Sequence, residues 1–241
     1  MEHIAYVEMA EIEDAHWWFS ARRLILEREI QRLNLPPRPR ILEVGAGTGG
    51  NLGMLSKFGE VTAVEADAFA RQSAEARTGQ PMLAGSLPDA MPAFDKEFDL
   101  ICLFDVLEHV EQSQTSLRVM AGLLNRGGRL MISVPAYMWL WTAHDTSLHH
   151  FRRYTVSRLA DELASAGLAP QRLTYYNTLL FPLAVIDRLF ARFRRGNPAG
   201  MKIPAAPVNK GFRRIFASEA SWLCHGTLPF GLSVLAVSTK S

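Results

Sequence analysis

The stretch HDTSLHHFRRYT, at residues 144–155, places imidazole, guanidinium and phenol groups side by side. Imidazoles bind metals and accept protons near neutral pH, and guanidinium groups bind carboxylates and phosphates through two parallel hydrogen bonds. The stretch could therefore ligate a metal, clamp an anion, supply a catalytic base or form an ordinary polar loop. Its candidate side chains are His144, His149, His150, Arg152, Arg153 and Tyr154.

The metal interpretation is the weakest of these. Adjacent His149 and His150 rarely bind one ion together, and neither a Cys nor a nearby Glu completes a ligand set. We therefore predict no metal. Arg152 or Arg153 could instead hold a carboxylate or phosphate of a substrate. Alternatively, an arginine pins the loop to an acidic helix such as DELASA.

A glycine-rich turn, GAGTGG, follows the first predicted strand and contains Gly45, Gly47 and Gly50. Glycines allow a tight turn and a close approach of the backbone to a ligand at a helix N-terminus. Dinucleotide-binding enzymes share this pattern, but a carboxylate at Glu43 would repel a pyrophosphate and suit an ammonium group. Alternatively, Glu43 only hydrogen-bonds the turn. Glu65 ends the next strand, where it can accept both ribose hydroxyls, so we predict a nucleoside ligand with a positively charged tail.

Apolar strands alternate with helical segments along the chain. Alternation predicts a parallel sheet covered by helices on both faces, with ligands bound at the carboxyl ends of the strands. The predicted strands are 40–44, 61–67, 80–86, 98–106, 129–135, 169–177 and 232–240. The predicted helices are 14–33, 51–59, 68–78, 114–128 and 155–168. The first helix is expected to have Asp14 as its N-cap.

Composition limits the class of protein. The chain has 241 residues, of which 48% are apolar, and a formal net charge of +2. These values suit one globular domain and argue against a nucleic-acid partner. The two cysteines, Cys102 and Cys224, form no CxxC pair, and the acidic N-terminal segment does not resemble a signal peptide. We therefore expect a cytoplasmic location.

Four motifs in sequence order resemble the class I S-adenosylmethionine-dependent methyltransferases. ILEVGAGTGG looks like their first motif, VTAVEAD like the acidic second strand, FDLICLFDVLEHV like the fourth strand and LLNRGGRLMISVP like the fifth. The resemblance covers about residues 38–170, and the last two predicted strands extend it to the C-terminus. It implies an α/β fold with a doubly wound, Rossmann-like, seven-stranded and mostly parallel sheet whose last strand is antiparallel.

The resemblance also implies S-adenosylmethionine as the cofactor and assigns residues to its parts. Residues of the glycine turn would surround the methionine part, Glu65 and Ala66 would hold the ribose and adenine, and the loop AGSLPD would close over the adenine. Many relatives have an aspartate near Ser86 that accepts from the adenine amine, so here the contact is expected to use the Ser86 hydroxyl or the backbone. Phe104 is expected to line the methyl-donor side or to be part of the core. The implied cofactor residues are Glu43, Gly45, Ala46, Gly47, Glu65, Ala66, Ser86, Leu87, Phe104 and Asp105.

A sulfonium is already an activated electrophile, so the protein must mainly position a nucleophile and remove its proton. We predict His150 and His109 as the first candidate bases and Tyr154 as the third, although His109 could instead make a structural hydrogen bond. These bases favour O-methylation of a small molecule, a sugar or a lipid-linked intermediate. N-methylation, or cofactor binding by a non-catalytic sensor or scaffold, are the alternatives. Predicted substrate contacts are Trp18, Arg22, His149, Arg152 and Arg153.

Two further segments flank or interrupt this pattern. Residues 1–37 are predicted to hold an N-terminal lid helix, and residues 38–241 the methyltransferase domain, with a helical insertion at 178–230. The insertion is apolar and locally basic, so it could cap the acceptor pocket, contact an anionic membrane through 178–225, or form a dimer interface. Its basic residues are Arg188, Arg192, Arg194, Arg195, Lys202, Lys210, Arg213 and Arg214.

Overall fold

A single seven-stranded sheet forms the centre of the computed structural model, which describes residues 3–191 and 202–240. The strands are β1 (Arg40–Val44), β2 (Glu60–Glu65), β3 (Met82–Ala84), β4 (Phe98–Phe104), β5 (Leu124–Pro135), β6 (Leu168–Tyr176) and β7 (Ser233–Lys240). Their order is β3-β2-β1-β4-β5-β7-β6, and only β7 runs antiparallel to its neighbours. The predicted fold class is therefore confirmed.

Helices cover both faces of this sheet. They are α1 (His3–Ile12), α2 (Trp17–Gln31), α3 (Leu52–Leu55), α4 (Ala68–Thr78), α5 (Ser113–Leu123), α6 (Ala143–Ser147), α7 (Val156–Ser165), α8 (Phe181–Ala191) and α9 (Ala206–Leu223). A short 3-10 helix, Leu107–His109, follows β4. Among the described residues, no helix combines the length and apolar character needed to cross a membrane.

Alternate residues of each central strand enter different cores. In β4, Leu100 and Cys102 pack with α2 and α9, whereas Ile101 and Leu103 pack with α5 and α7. Side chains of a strand point alternately to opposite faces, so a strand buried on both faces must be apolar throughout. This explains why FDLICLF is an almost continuous apolar run.

The N-terminal segment differs from its prediction. It forms two helices, and the predicted N-cap at Asp14 is wrong because α2 begins after His16. The His16 imidazole accepts a hydrogen bond from the Trp18 amide at 3.2 Å, and the Asn209 side-chain oxygen accepts one from the Trp17 amide at 2.8 Å. Because α2 buries one of its faces against the sheet beside α9, it is a core helix rather than a surface cover.

The predicted helical insertion at 178–230 contributes α8 and α9. Helix α9 begins at Ala206, and Pro207 is tolerated there because a first helical turn needs no amide donor. Part of the predicted basic stretch, residues 192–201, lies outside the described residues.

Candidate functional site

The loops after β1 and β4 diverge at one edge of the sheet, because the chain winds from β1 towards β3 and later from β4 towards β6. Such a switch point leaves a crevice at the carboxyl ends of parallel strands. The glycine turn lies there, and the amides of Gly45 and Ala46 donate to the Val64 carbonyl at 2.8 and 3.1 Å. Gly45 has φ +71°, and a Cβ at this position would meet the Val106 side chain at 2.5 Å, so a larger residue would not fit.

Glu43 stands at the end of β1 beneath this turn. Its side chain is 1% exposed, and its Oε1 accepts a hydrogen bond from the Asn51 amide nitrogen at 2.8 Å. Its Oε2 is buried without a hydrogen-bond partner. Burial raises the pKa of Glu43 to about 7 despite the Asn51 hydrogen bond. A buried carboxylate oxygen that lacks a partner fits the ammonium group of S-adenosylmethionine.

Glu65 ends β2 and already holds the glycine turn in place. Its Oε2 accepts from the Gly47 amide at 2.8 Å, and its Oε1 accepts from the Asp67 amide at 2.9 Å and the Tyr6 hydroxyl at 3.3 Å. Ala66 follows it at the surface. Each oxygen of a carboxylate has two lone-pair positions, so these bonds leave capacity for the ribose hydroxyls that the sequence analysis assigned to Glu65.

Two further predicted cofactor residues lie after β3. Ser86 is exposed and pairs with Ala90 in an isolated bridge, whereas Leu87 is half-buried against the core. Their loop is therefore anchored at Leu87 and presents Ser86 at the surface. Phe104, at the end of β4, is buried in the core shared with α2 and α9, the alternative left open for it.

Helix α1 lies over the glycine turn, which the sequence analysis did not anticipate. Besides the Tyr6 contact, the Met9 methyl group comes within 3.0 Å of where a Cβ on Gly47 would stand. Glu13, just after α1, accepts a hydrogen bond from Thr48 at 2.5 Å and pairs with Arg77 at 2.6 Å. The only sequence signal was the mixed acidic and apolar character of the first residues. The lid was predicted for one helix, residues 14–33 within the segment 1–37, and that prediction stays a prediction; α1 is an additional helix beside the glycine turn.

Arg22 and Asp105 form an ion pair where α2 meets the end of β4. The guanidinium of Arg22 also lies 4.7 Å from the centre of the Trp18 ring, so these two predicted substrate contacts share one face of α2. Asp105 adopts φ +58°, a conformation that residues other than glycine rarely adopt and that is common at functional sites. Ser133 on β5 donates to Asp105 at 3.3 Å. The structure thus joins two predicted substrate residues to a predicted cofactor residue.

His150 is held by a buried carboxylate. Its Nδ1 lies 2.9 Å from Oδ1 of Asp145, and Asp145 also accepts two hydrogen bonds from Arg153, at 2.7 and 2.9 Å. Burial alone would raise the pKa of Asp145, but the hydrogen bonds from His150 and Arg153 outweigh it and hold the pKa well below its usual range. Arg153 therefore faces the interior of the protein, and its predicted role as a substrate clamp is not supported by this geometry.

The two first candidate bases lie together. The ring centres of His109 and His150 are 4.5 Å apart, edge to face. Burial and the neighbouring His150 lower the pKa of His109 to about 3, while one hydrogen bond to the Leu148 carbonyl opposes this shift. His109 is therefore neutral at neutral pH, and a neutral imidazole has one nitrogen able to accept a proton or bind a ligand.

Glu108, which was not among the predicted site residues, lies beside these histidines. Its side chain is 1% exposed, its Oε2 has no hydrogen-bond partner, and burial raises its pKa to about 8. Ligand atoms of Glu108, His109 and His150 all lie within 4.8 Å of one another. A glutamate does therefore lie close to His150, because the fold brings the loop after β4 to the loop after α6, and the absence of a metal stays a prediction. The adjacent letters EH at a strand exit were the available signal.

The remaining predicted residues take other positions. Tyr154 is fully buried in the core, where its hydroxyl lies 3.4 Å from Glu162. This position does not support its predicted role as a base. Arg152 donates to the Ser113 hydroxyl and the Glu111 carbonyl, at 2.6 and 2.7 Å, and lines a surface groove of about 630 Å³. His149 is exposed, with φ +57°.

Comparisons with known proteins agree with this fold. The sequence profile of a methyltransferase domain matches residues 18–173. A Mycobacterium tuberculosis relative, named "Probable S-adenosylmethionine-dependent methyltransferase", is 25% identical over 156 residues, which cover 64% of this chain and 55% of the relative. The chain thus matches about half the length of that relative.

Two solved structures share the fold. A geranyl diphosphate C-methyltransferase from Streptomyces coelicolor, in complex with S-adenosyl-L-homocysteine, has a TM-score of 0.61 at 14% identity and is covered over 76% of its length and 90% of this chain. A SAM-dependent methyltransferase from Thermotoga maritima has a TM-score of 0.58 at 19% identity, with full coverage of both chains. With the profile match over more than half of its length, the chain belongs to the methyltransferase-domain family, whose relatives use S-adenosylmethionine.

Proposed function

We propose that this protein transfers the methyl group of S-adenosylmethionine to a hydroxyl oxygen of an acceptor at the carboxyl edge of β4 and β5. The bound cofactor supplies an electrophilic methyl group. The partnerless oxygen of Glu43, the tight left-handed turn at Gly45 and Gly47, and the remaining acceptor capacity of Glu65 support its binding at the switch point of the sheet.

The proposal of an oxygen acceptor rests on the pair of His150 and Asp145. A carboxylate at 2.9 Å from Nδ1 selects the tautomer that carries its proton on Nδ1, which leaves the lone pair of Nε2 free to accept a proton. Arg153 fixes the carboxylate in turn, so His150 is held in one orientation. A hydroxyl group needs such a base because its own pKa lies far above neutral pH, whereas a neutral amine does not.

In this mechanism the acceptor oxygen attacks the methyl carbon as its proton passes to Nε2 of His150. A C–O bond forms, the bond from the methyl carbon to sulfur breaks, and the sulfur keeps the electron pair. Asp145 stabilises the imidazolium that results, and the proton then leaves to solvent. General base catalysis of this kind typically contributes about 10²–10⁴ in rate.

The decisive experiment incubates the protein with methyl-labelled S-adenosylmethionine and the small-molecule and lipid fractions of a cell extract, followed by identification of the labelled atom. We expect an O-methyl product, and loss of at least about 10²-fold in rate for His150→Gln. His225→Gln, which changes a histidine at the exposed end of α9, is the matched control. A product labelled on nitrogen would refute the oxygen assignment, and cofactor binding without any transfer would leave a sensor or scaffold.

An amphiphilic acceptor is favoured by an aromatic patch next to the loop that follows β5. Tyr137 stacks on Trp139 with ring centres 5.6 Å apart, and Phe181 at the start of α8 contacts both rings and Phe230. Trp139 is 60% exposed, and exposed aromatic side chains beside an acceptor loop suit a lipid chain or another apolar group. We therefore include a lipid-linked acceptor and contact with a membrane surface in the proposed function.

A further inference from the structure

We propose that Glu108, His109 and His150 bind one divalent transition-metal ion beside the acceptor position. This inference deepens the proposed function, because it gives the same cluster a ligand of its own. Two imidazole nitrogens and one carboxylate oxygen are the ligand set of many catalytic zinc sites and of open iron sites. Magnesium is disfavoured, since it prefers oxygen ligands alone.

The three side chains come from two loops and converge from different sides. Glu108 and His109 belong to the 3-10 helix after β4, and His150 follows α6. One ligand atom from each lies within 4.8 Å of the others. A tetrahedral ion, about 2.0–2.1 Å from each ligand, would bring these atoms to roughly 3.3 Å from one another. Binding therefore requires these atoms to approach one another by up to roughly 1.5 Å, which rotations of the three side chains can supply.

One ring nitrogen of each histidine already has the kind of partner that metal-bound histidines require. His150 is held through Nδ1 by Asp145, and His109 is held by the Leu148 carbonyl. Metal-binding histidines usually donate their second N–H to a carboxylate or a backbone carbonyl, which fixes the tautomer and the ring orientation. One carboxylate and one carbonyl thus leave the opposite nitrogen of each ring available to the same ion.

Glu108 provides the independent observation. Its carboxylate is almost fully buried, and its Oε2 has no hydrogen-bond partner. Burying such an oxygen without a partner is costly, and a cation bound between it and the two imidazoles would remove this cost. The positive charges of Arg22 and Arg153 act on Glu108 from a distance, but neither replaces a direct ligand.

In the metal-free protein His150 accepts the proton itself, as proposed above. With an ion bound, His150 would be a ligand and could no longer accept the proton. The ion would instead activate the acceptor, because a bound cation lowers the pKa of a hydroxyl group close to it. Glu108 and His109 follow Asp105 by three and four residues after β4, so the ion would bind on the loop that leaves this strand. Transfer by the loaded protein is therefore expected to be faster at neutral pH than transfer by the metal-free protein.

The test titrates the chelator-treated full-length protein with Zn²⁺ by calorimetry and with Co²⁺ by visible absorption. We expect one equivalent of each ion per chain, and a Co²⁺ spectrum typical of low coordination number. Glu108→Gln and His109→Gln should each weaken Zn²⁺ binding at least tenfold, whereas His225→Gln should bind like the wild type. Since Gln preserves the size of Glu, thermal unfolding without metal will show whether Glu108→Gln remains folded.

Absence of stoichiometric binding, or equal binding by all variants, would overturn the metal site. A second readout is the shift of the unfolding temperature on addition of Zn²⁺, which should be present in the wild type and in His225→Gln and lost in Glu108→Gln. Failure of this inference is distinguishable from failure of the proposed function. Methyl transfer that proceeds unchanged in excess chelator would leave His150 as the base, whereas tight Zn²⁺ binding without methyl transfer would leave the metal site alone.

Discussion

At the scale of single residues, Glu43 has a carboxylate that titrates in the range where cells work. Burial contributes most to its raised pKa, and the nearby carboxylates of Glu13 and Glu65 add to it, while Asn51 and Arg22 oppose it. Because the pKa is about 7, the carboxyl group is mostly protonated at pH 6 and mostly ionised at pH 8. Only the ionised form attracts an ammonium group, so cofactor binding should depend on this equilibrium.

We therefore predict that the affinity of the wild type for S-adenosylmethionine rises about tenfold between pH 6 and pH 8, the change in the ionised fraction of a group with pKa about 7. Glu43→Gln should weaken binding at pH 8 by roughly 1.5–3 kcal/mol, as expected for a hydrogen bond to a charged group. Calorimetric titrations at both pH values measure these changes.

The Gln variant is also the control for titration of the cofactor itself, since it retains every other group. Affinities that change in parallel in both proteins would contradict the role of Glu43. The pH dependence of stability gives a second check on the direction of the pKa shift of Glu43. A folded pKa above the unfolded value means that Glu43 lowers the free energy of unfolding as the pH rises from about 4.5 to 7, so Glu43→Gln should gain relative stability over that interval.

At the scale of elements, the strands and most helices could be predicted because their signals are local. FDLICLF and RLMISVP are apolar runs long enough for buried strands, and Gly79 ends α4 in a left-handed conformation. The start of α2 could not be predicted, because part of its capping comes from Asn209, on a helix near the other end of the chain.

In the candidate site, too, features with local signals could be predicted and features that depend on distant contacts could not. Glu43, Gly45 and Glu65 follow strands directly, so their meeting at one edge could be predicted from the order of strands. Contacts between loops could not, because nothing in the spacing shows that Glu108 approaches His150. The inward orientation of Arg153 could not be predicted for a related reason. Its partner Asp145 precedes it in the same loop, and only the fold of that loop turns the guanidinium towards the interior.

Helix α1 is the element whose position bears most directly on cofactor binding. None of the described α1 side chains from Ile4 to Ile12 is fully buried, so the helix is held by few contacts and should open locally at low cost. Its contacts to the glycine turn, through Tyr6 and Met9, lie where the cofactor is proposed to bind. A bound cofactor will therefore either extend these contacts or compete with them.

We predict that the cofactor extends them and that hydrogen exchange of α1 amides slows by about tenfold or more at saturation, which corresponds to about 1.4 kcal/mol of added local stability. Mass spectrometry of peptides that contain α1 measures this, with α7, on the opposite face of the sheet, as the internal control. Unchanged exchange in α1 would contradict a lid, and faster exchange would show that the cofactor displaces the helix.

At the scale of the whole molecule, the net charge is only +2, but the basic residues are unevenly distributed over the surface. On α9, Val208 and Ile215 are exposed beside Lys210, Arg213 and Arg214. On α8, Leu183 and Ile186 are 53% and 49% exposed. Apolar and basic side chains together suit the boundary of an anionic membrane, where each basic residue contributes about 1 kcal/mol.

We predict that the protein co-sediments with vesicles containing phosphatidylserine at low salt and that the bound fraction falls steeply as salt rises, because screening weakens attraction to the anionic surface. The variant Lys210→Gln, Arg213→Gln, Arg214→Gln should lose about 3 kcal/mol of binding, the sum of three contributions. Vesicles of phosphatidylcholine alone should bind both proteins weakly and equally.

A matched variant separates this surface from net charge. Lys96, Arg118 and Arg126 are exposed elsewhere on the molecule, and their replacement by Gln removes the same number of positive charges. If binding depends on the basic surface of α9, this control retains most of the wild-type affinity for phosphatidylserine vesicles. If the two triple variants lose binding equally, only the total charge matters and α9 is not a membrane surface; if the wild type does not bind at low salt, the acceptor must be delivered from solution.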